Sequence, residues 1–134
     1  MPRETVHAEW IGDMTFLLKD RNDFPIVTTQ PMGANAADLL PLSLIGCVSW
    51  DIIAILKKQR QQVTSYSVVA ESEQDDNPPW RFKRIHIRYR FSGRDLNPEQ
   101  VQRAIELSET KYCSTFATMR QAVEITSDYE ISNE

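Results

Sequence analysis

The segment "LSLIGCVSWDIIAILKK", Leu42–Lys58, decides the fold. Apolar residues fall at Leu40, Leu44 and Cys47, and again at Ile45, Val48, Ile52, Ile55 and Leu56. Apolar positions nearly all round predict a helix buried on most of its sides. Asn35 can cap it, so the helix is expected over 36–60. Lys57, Lys58 and Arg60 complement the negative end of its dipole. Pro41 would remove a hydrogen bond inside the helix, which predicts either a kink there or a helix that starts close to it. A membrane span needs ~20 mostly apolar residues. This run is broken by Pro41, Ser43, Ser49 and Asp51, so it reads as a core helix and no membrane partner is expected.

The flanking segments read mostly as strands. "VHAEWI" and "MTFLLKD" surround the turn pair Gly12-Asp13 and suggest a hairpin. "FPIVTT" follows, with Pro25 marking an edge strand or a strand start. After the helix, "VTSYSVVAESEQ" and "WRFKRIHIRYRFSG" form two strands around "DDNPP". The second places Phe82, Ile85, Ile87, Tyr89 and Phe91 on one face, with a slip near Lys83-Arg84. Its basic outer face, His86 included, is expected to be solvated and to pair with the acidic "ESEQDD". Asn97, Pro98 and Gln100 open a helix in a capping-box pattern, with Val101, Ala104, Ile105 and Ser108 inward. A short helix near 113–121 and a closing strand, "VEITSDYEI", complete the chain. The order β-β-β-α-β-β-α-α-β predicts an α+β fold with antiparallel sheets around the long helix. Ser43, Gly46 and Ala54 are small enough for close helix–helix approach, which favours a homodimer.

A chain of 134 residues, 41% hydrophobic and 25% charged, suits one globular domain over residues 1–134. Net charge of −4 leaves no electrostatic footprint for nucleic acid. No apolar leader pattern opens the sequence, so a cytoplasmic location is expected. Cysteines in that compartment stay reduced and serve as catalytic, redox-sensing or core residues. Two cysteines 66 positions apart and two histidines, His7 and His86, lack metal-ligand spacing, so no metal is expected. Four glycines and no Gly-rich loop exclude a phosphate cradle.

The two thiols are the candidates for chemistry. A peroxide-reducing cysteine must be a thiolate, sit in a sheltered pocket and have a second thiol to trap its sulfenic acid. Cys47 lies mid-helix, and Cys113 follows Lys111 at a helix start, a setting that favours a thiolate. Read from the residues alone, both cysteines are more simply small core residues than a redox pair.

"GANAADLLPLSLIGCVSWDIIAILKKQRQ" followed by "AIELSETKYCSTFATM" resembles the OsmC/Ohr family of osmotically inducible and organic hydroperoxide resistance proteins. The likeness runs from about Gly33 to Ile131 and is greatest to the YhfA-type branch, which shares "ILKK" and "KYC". The resemblance implies an intertwined homodimer, thiol-dependent reduction of organic hydroperoxides and a dithiol or lipoyl-type reductant. Cys47 would be the peroxidatic thiol and Cys113 the resolving thiol. A non-catalytic binding dimer or a redox sensor of the same fold are the alternatives.

Other members of the family place a glutamate ten residues before the first cysteine, paired with an N-terminal arginine. Here that position is Ala37, Asp38 is the nearest acid, and Arg21 is the positional candidate for the arginine. In a regular helix of about 100° per residue, Asp38 falls opposite Cys47. Asp51, one turn beyond Cys47, would raise the thiol pKa unless paired. Lys111 is a further candidate cation. Trp50 and Tyr112 are either pocket walls for an apolar hydroperoxide or plain core.

Overall fold

The computed structural model describes residues 3–134; Met1 and Pro2, which open the sequence read above for a leader, lie outside them. The chain forms two compact units, one ending at Leu40 and the other running from Pro41 to Glu134.

The N-terminal unit is a three-stranded antiparallel sheet in the order β1-β2-β3: β1 (His7–Gly12), β2 (Thr15–Lys19) and β3 (Pro25–Thr29). The turn between β1 and β2 uses Gly12 at φ +118° and Asp13 at φ 45°, a left-handed pair that glycine and aspartate tolerate. Pro25 opens β3, an edge strand. The loop after β3 folds back, and the Thr29 N–H donates to the Ala34 carbonyl at 3.0 Å. A Cβ on Gly33 would collide with the Thr29 side chain, so this close approach favours glycine.

Asn35 caps a short 3-10 turn, Ala36–Asp38, its side chain accepting from the Ala37 N–H at 2.9 Å. Helix α1 (Leu39–Lys58) follows directly. Pro41 therefore stands in the first turn of α1, where proline is tolerated, not in the helix interior. Length and composition of Ala36–Lys58 would also suit a membrane span. Yet Leu44, Val48, Ile52 and Leu56, at helical spacing, are fully buried in the core of the C-terminal unit. On the other flank Leu42 and Trp50 are 53% and 77% exposed. The expectation of a helix buried on most sides is thus met along one stripe only.

The second sheet has the order β4-β5-β6, with β4 (Gln62–Gln74), β5 (Phe82–Arg94) and β6 (Glu124–Asn133). β4 and β5 are antiparallel, with an irregularity where Glu73 faces Arg84 and Gln74 faces Phe82. That irregularity is the slip in the alternation at Lys83. β6 runs parallel to β5, so the sheet is mixed, and the fully antiparallel expectation is corrected here. A parallel pair needs a long crossover, and α2 (Pro98–Leu107), a π turn (Ser108–Tyr112) and α3 (Ser114–Met119) provide it. Asn97 caps α2 through the Glu99 N–H at 2.9 Å. Its own N–H donates to Gln61 Oε1, not to Gln100 as a capping box would have it.

One face of this sheet, with Ile85, Ile87, Tyr89 and Phe91, joins α1 and α2 in a single core. On the other face Arg84 bridges Glu73 and Glu124 at 2.8 and 2.9 Å, Arg88 meets Asp128 at 3.2 Å and Arg90 meets Glu130 at 3.0 Å. His86 bonds Thr126 at 2.7 Å and approaches Asp128 at 3.4 Å. The basic strand thus pairs with β6 as well as with the acidic end of β4.

Candidate functional site: two thiols across a helix crossing

Cys47 lies on α1 and Cys113 at the start of α3, and neither is in a disulfide. Cys113 is the N-cap of α3, with φ −81° and ψ 109°, and its Sγ accepts from the Phe116 N–H at 3.3 Å. The sulfur thereby takes the place that a serine or aspartate oxygen usually fills. The first turn of α3 also acts on Cys47, whose pKa is lowered by the Cys113 side chain and by the backbone and side chain of Thr115.

The two thiols are unlike. Burial pushes the Cys47 thiol up, and Asp51 adds to that. The hydrogen bonds from Cys113 and Thr115 outweigh both and leave it below the ordinary value of 9.0. Cys113 is 2% exposed. Its burial, and then the hydrogen bond and charge of Cys47, push it up to about 12. Cys113 is thus the protonated donor and Cys47 the acceptor that becomes thiolate first. This reverses the expectation that the helix start would favour a thiolate at Cys113: burial, and then the neighbouring Cys47, outweigh the N–H groups of Phe116 and Thr115 that favour its charged form. Cys47 is half-buried, so a reagent can reach the more acidic of the two sulfurs.

The remaining candidates fall in several places. Asp51 lies one turn beyond Cys47 and acts on it as expected, raising its pKa. Lys111 lies over the Tyr112 ring, 5.4 Å from its centroid. Arg21 and Asp38 belong to the N-terminal unit, where Arg21 pairs with Glu4 at 3.7 Å. Asp38 ends the 3-10 turn before α1, so the regular-helix angle to Cys47 does not apply to it. Among the described residues, the hydrogen bonds that lower the Cys47 pKa come from Cys113 and Thr115, neither of them a cation. Trp50 and Tyr112 are both exposed. Trp50 lines a groove with Gly46, Ser49, Ile53 and Tyr66; Tyr112 lines a hollow with Asp51, Ile55, Lys58 and Leu107; the two meet at Ala54.

Thr115 escaped the sequence reading. It is two residues beyond Cys113 and inside the first turn of a short helix, so its position relative to Cys113 was readable. Its effect on Cys47 depends on where the fold places α3 relative to α1, which no local pattern encodes.

Comparisons with known proteins agree with this architecture. The OsmC-like protein family model matches residues 29–128. Protein YhfA of Escherichia coli K12 is 33% identical over 127 residues, covering 92% of this chain and 95% of its own. The crystal structure of a hypothetical protein from Aquifex aeolicus VF5 superposes with a TM-score of 0.90 at 27% identity, covering 100% of this chain and 99% of that one. An organic hydroperoxide resistance protein from Elizabethkingia anophelis shares the fold at a TM-score of 0.67 and 16% identity, covering 99% of both chains.

Proposed function

Since the chain belongs to the OsmC-like protein family, we propose that it is a dithiol-dependent organic hydroperoxide reductase acting as a cytoplasmic homodimer. The observation that carries this reading is the asymmetric thiol pair: a half-buried Cys47 whose pKa the Cys113 side chain lowers, against a buried Cys113 whose pKa is raised. In the first step the Cys47 thiolate attacks the terminal oxygen of the hydroperoxide. The O–O bond breaks, Cys47 becomes a sulfenic acid, and the departing alkoxide takes a proton to leave as the alcohol. In the second, Cys113 attacks the Cys47 sulfur, the S–O bond breaks, and water departs with the Cys113 proton. Oxidation of Cys47 removes the negative charge that had helped hold the Cys113 proton, so the first step prepares the second. A small dithiol or lipoyl-type reductant then exchanges with the disulfide and restores both thiols. The apolar flank of α1 around Trp50, uncovered within one chain, supports the homodimer and offers apolar surface near the thiols.

Turnover decides the matter. Reduced protein mixed with cumene hydroperoxide and a dithiol should consume peroxide far faster than Cys47→Ser, and equal rates would refute the enzyme reading. The redox-sensor alternative draws on the same thiol contact together with the lack of a lowering cation. It predicts that one equivalent of peroxide removes both thiols without sustained turnover.

A further inference from the structure

Between the end of α2 and Cys113 the helix widens into the π turn Ser108–Tyr112. Ser108 is fully buried, and both its ends are engaged. Its Oγ donates to the Val48 carbonyl at 3.0 Å, on the residue next to Cys47. Its own carbonyl accepts the Cys113 N–H at 2.9 Å. One residue thereby ties the backbone beside the first thiol to the backbone of the second. The next residue, Glu109, accepts from Tyr89 Oη at 2.8 Å. Tyr89 is fully buried in β5, and burial, then Glu109, holds its phenol well above the tyrosine range, so it remains a donor. The turn is therefore fixed at two consecutive residues, to α1 on one side and to the sheet on the other.

We infer that Ser108 and the Tyr89–Glu109 pair are positioning residues that hold the π turn as a clamp and set the reach between Cys47 and Cys113. The inference rests on the two thiols acting as a pair, and it goes beyond the peroxidase reading by assigning the closing of the bridge to a hydroxyl, a phenol and a carboxylate outside the thiol site. The clamp acts on the step in which Cys113 attacks the oxidised Cys47 sulfur and releases water. It leaves the attack of the Cys47 thiolate on the peroxide unaltered.

The test does not depend on peroxidase turnover. The Cys47–Cys113 bridge is equilibrated against mixtures of reduced and oxidised dithiothreitol, and bridged protein is counted by thiol mass tagging. Ser108→Ala, Tyr89→Phe and Glu109→Met each remove one hydrogen bond with little change in volume. Each should lower the equilibrium share of bridge by about tenfold relative to the dithiol. Tyr89→Phe with Glu109→Met should do no more than either alone, because one bond joins them. Tyr129→Phe, which loses a phenol bond from β6 to Gln102 on α2, should leave the equilibrium within about twofold. A bridge equilibrium equal to wild type in the clamp variants overturns the inference. So does a shift in Tyr129→Phe as large as theirs, since that would mean general loosening. Peroxide added to the same variants separates the two readings: failure of turnover in wild type alongside intact clamp effects refutes the enzyme and keeps the clamp.

Discussion

Thr115 and Asp51 act on the Cys47 sulfur with opposite signs. Thr115 donates through both backbone and side chain, and Asp51 places a negative charge one turn away. Thr115→Val keeps the backbone bond and the side-chain shape but loses the hydroxyl. The Cys47 pKa should rise towards its ordinary value, and alkylation of Cys47 by iodoacetamide at pH 7 should slow by about threefold. Asp51→Asn removes an opposing charge, so its pKa should fall further and alkylation at pH 7 should quicken. Mapping the alkylated cysteine by mass spectrometry checks both. If the two variants shift the rate in the same direction, donors and charge do not govern this thiol. Neither residue stands out by type: threonine and aspartate are ordinary at helix starts and on helix surfaces. Asp51 was legible because helical spacing alone places it beside Cys47. Thr115 was not, since it lies on a different helix.

The elements were legible to different degrees for the same physical reason. Local periodicity marked β5 down to its irregularity at Lys83, and marked the buried face of α2 residue by residue, because those signals lie within a single segment. The direction of β6 did not show. An alternating strand looks the same whether its neighbour runs parallel or antiparallel. Nor did the partner of Asn97, since Gln61 lies on a different segment. Parallel pairing has a consequence on the solvent face, where it brings Arg84, Arg88 and Arg90 level with Glu124, Asp128 and Glu130. Hydrogen bonds from Arg84 and Arg88 hold Glu73 and Asp128 below their ordinary values of 4.5 and 3.8. An acid with a depressed folded pKa contributes stability above its ordinary pKa and loses it as pH falls through the folded value. The Tm difference between wild type and Arg84→Gln should thus be at most a few degrees at pH 6 and should close as pH falls through the range where Glu73 takes up its proton. Added salt should shrink it at any pH. A gap that persists undiminished in acid would show that Arg84 contributes through packing of its stem, not through its charge.

At the scale of the whole molecule, the apolar surface of one chain exceeds what its own core covers. In the N-terminal unit Trp10, Met14 and Phe24 are each about two-thirds exposed. A three-stranded sheet needs an apolar face packed on something to be stable. On α1, Leu42, Gly46 and Trp50 face outward from a helix whose opposite stripe is fully buried. A second copy seated along that face would bury both helices at once, and Gly46 gives the sharpest test of it. Within one chain a Cβ on Gly46 meets nothing within 4 Å. If the chain were a monomer, Gly46→Leu would raise the Tm, because glycine in a helix interior costs about 1 kcal/mol relative to good helix formers. If Gly46 lies where two α1 helices approach closely, leucine collides with the partner, and the sign reverses. We expect Gly46→Leu to lower the Tm and to shift the protein from dimer to monomer in light scattering at micromolar concentration. Gly46→Ala should do the same more weakly. Wild type that scatters as a monomer, or Gly46→Leu that is both dimeric and more stable, would place the partner elsewhere and leave the apolar flank of α1 without an occupant.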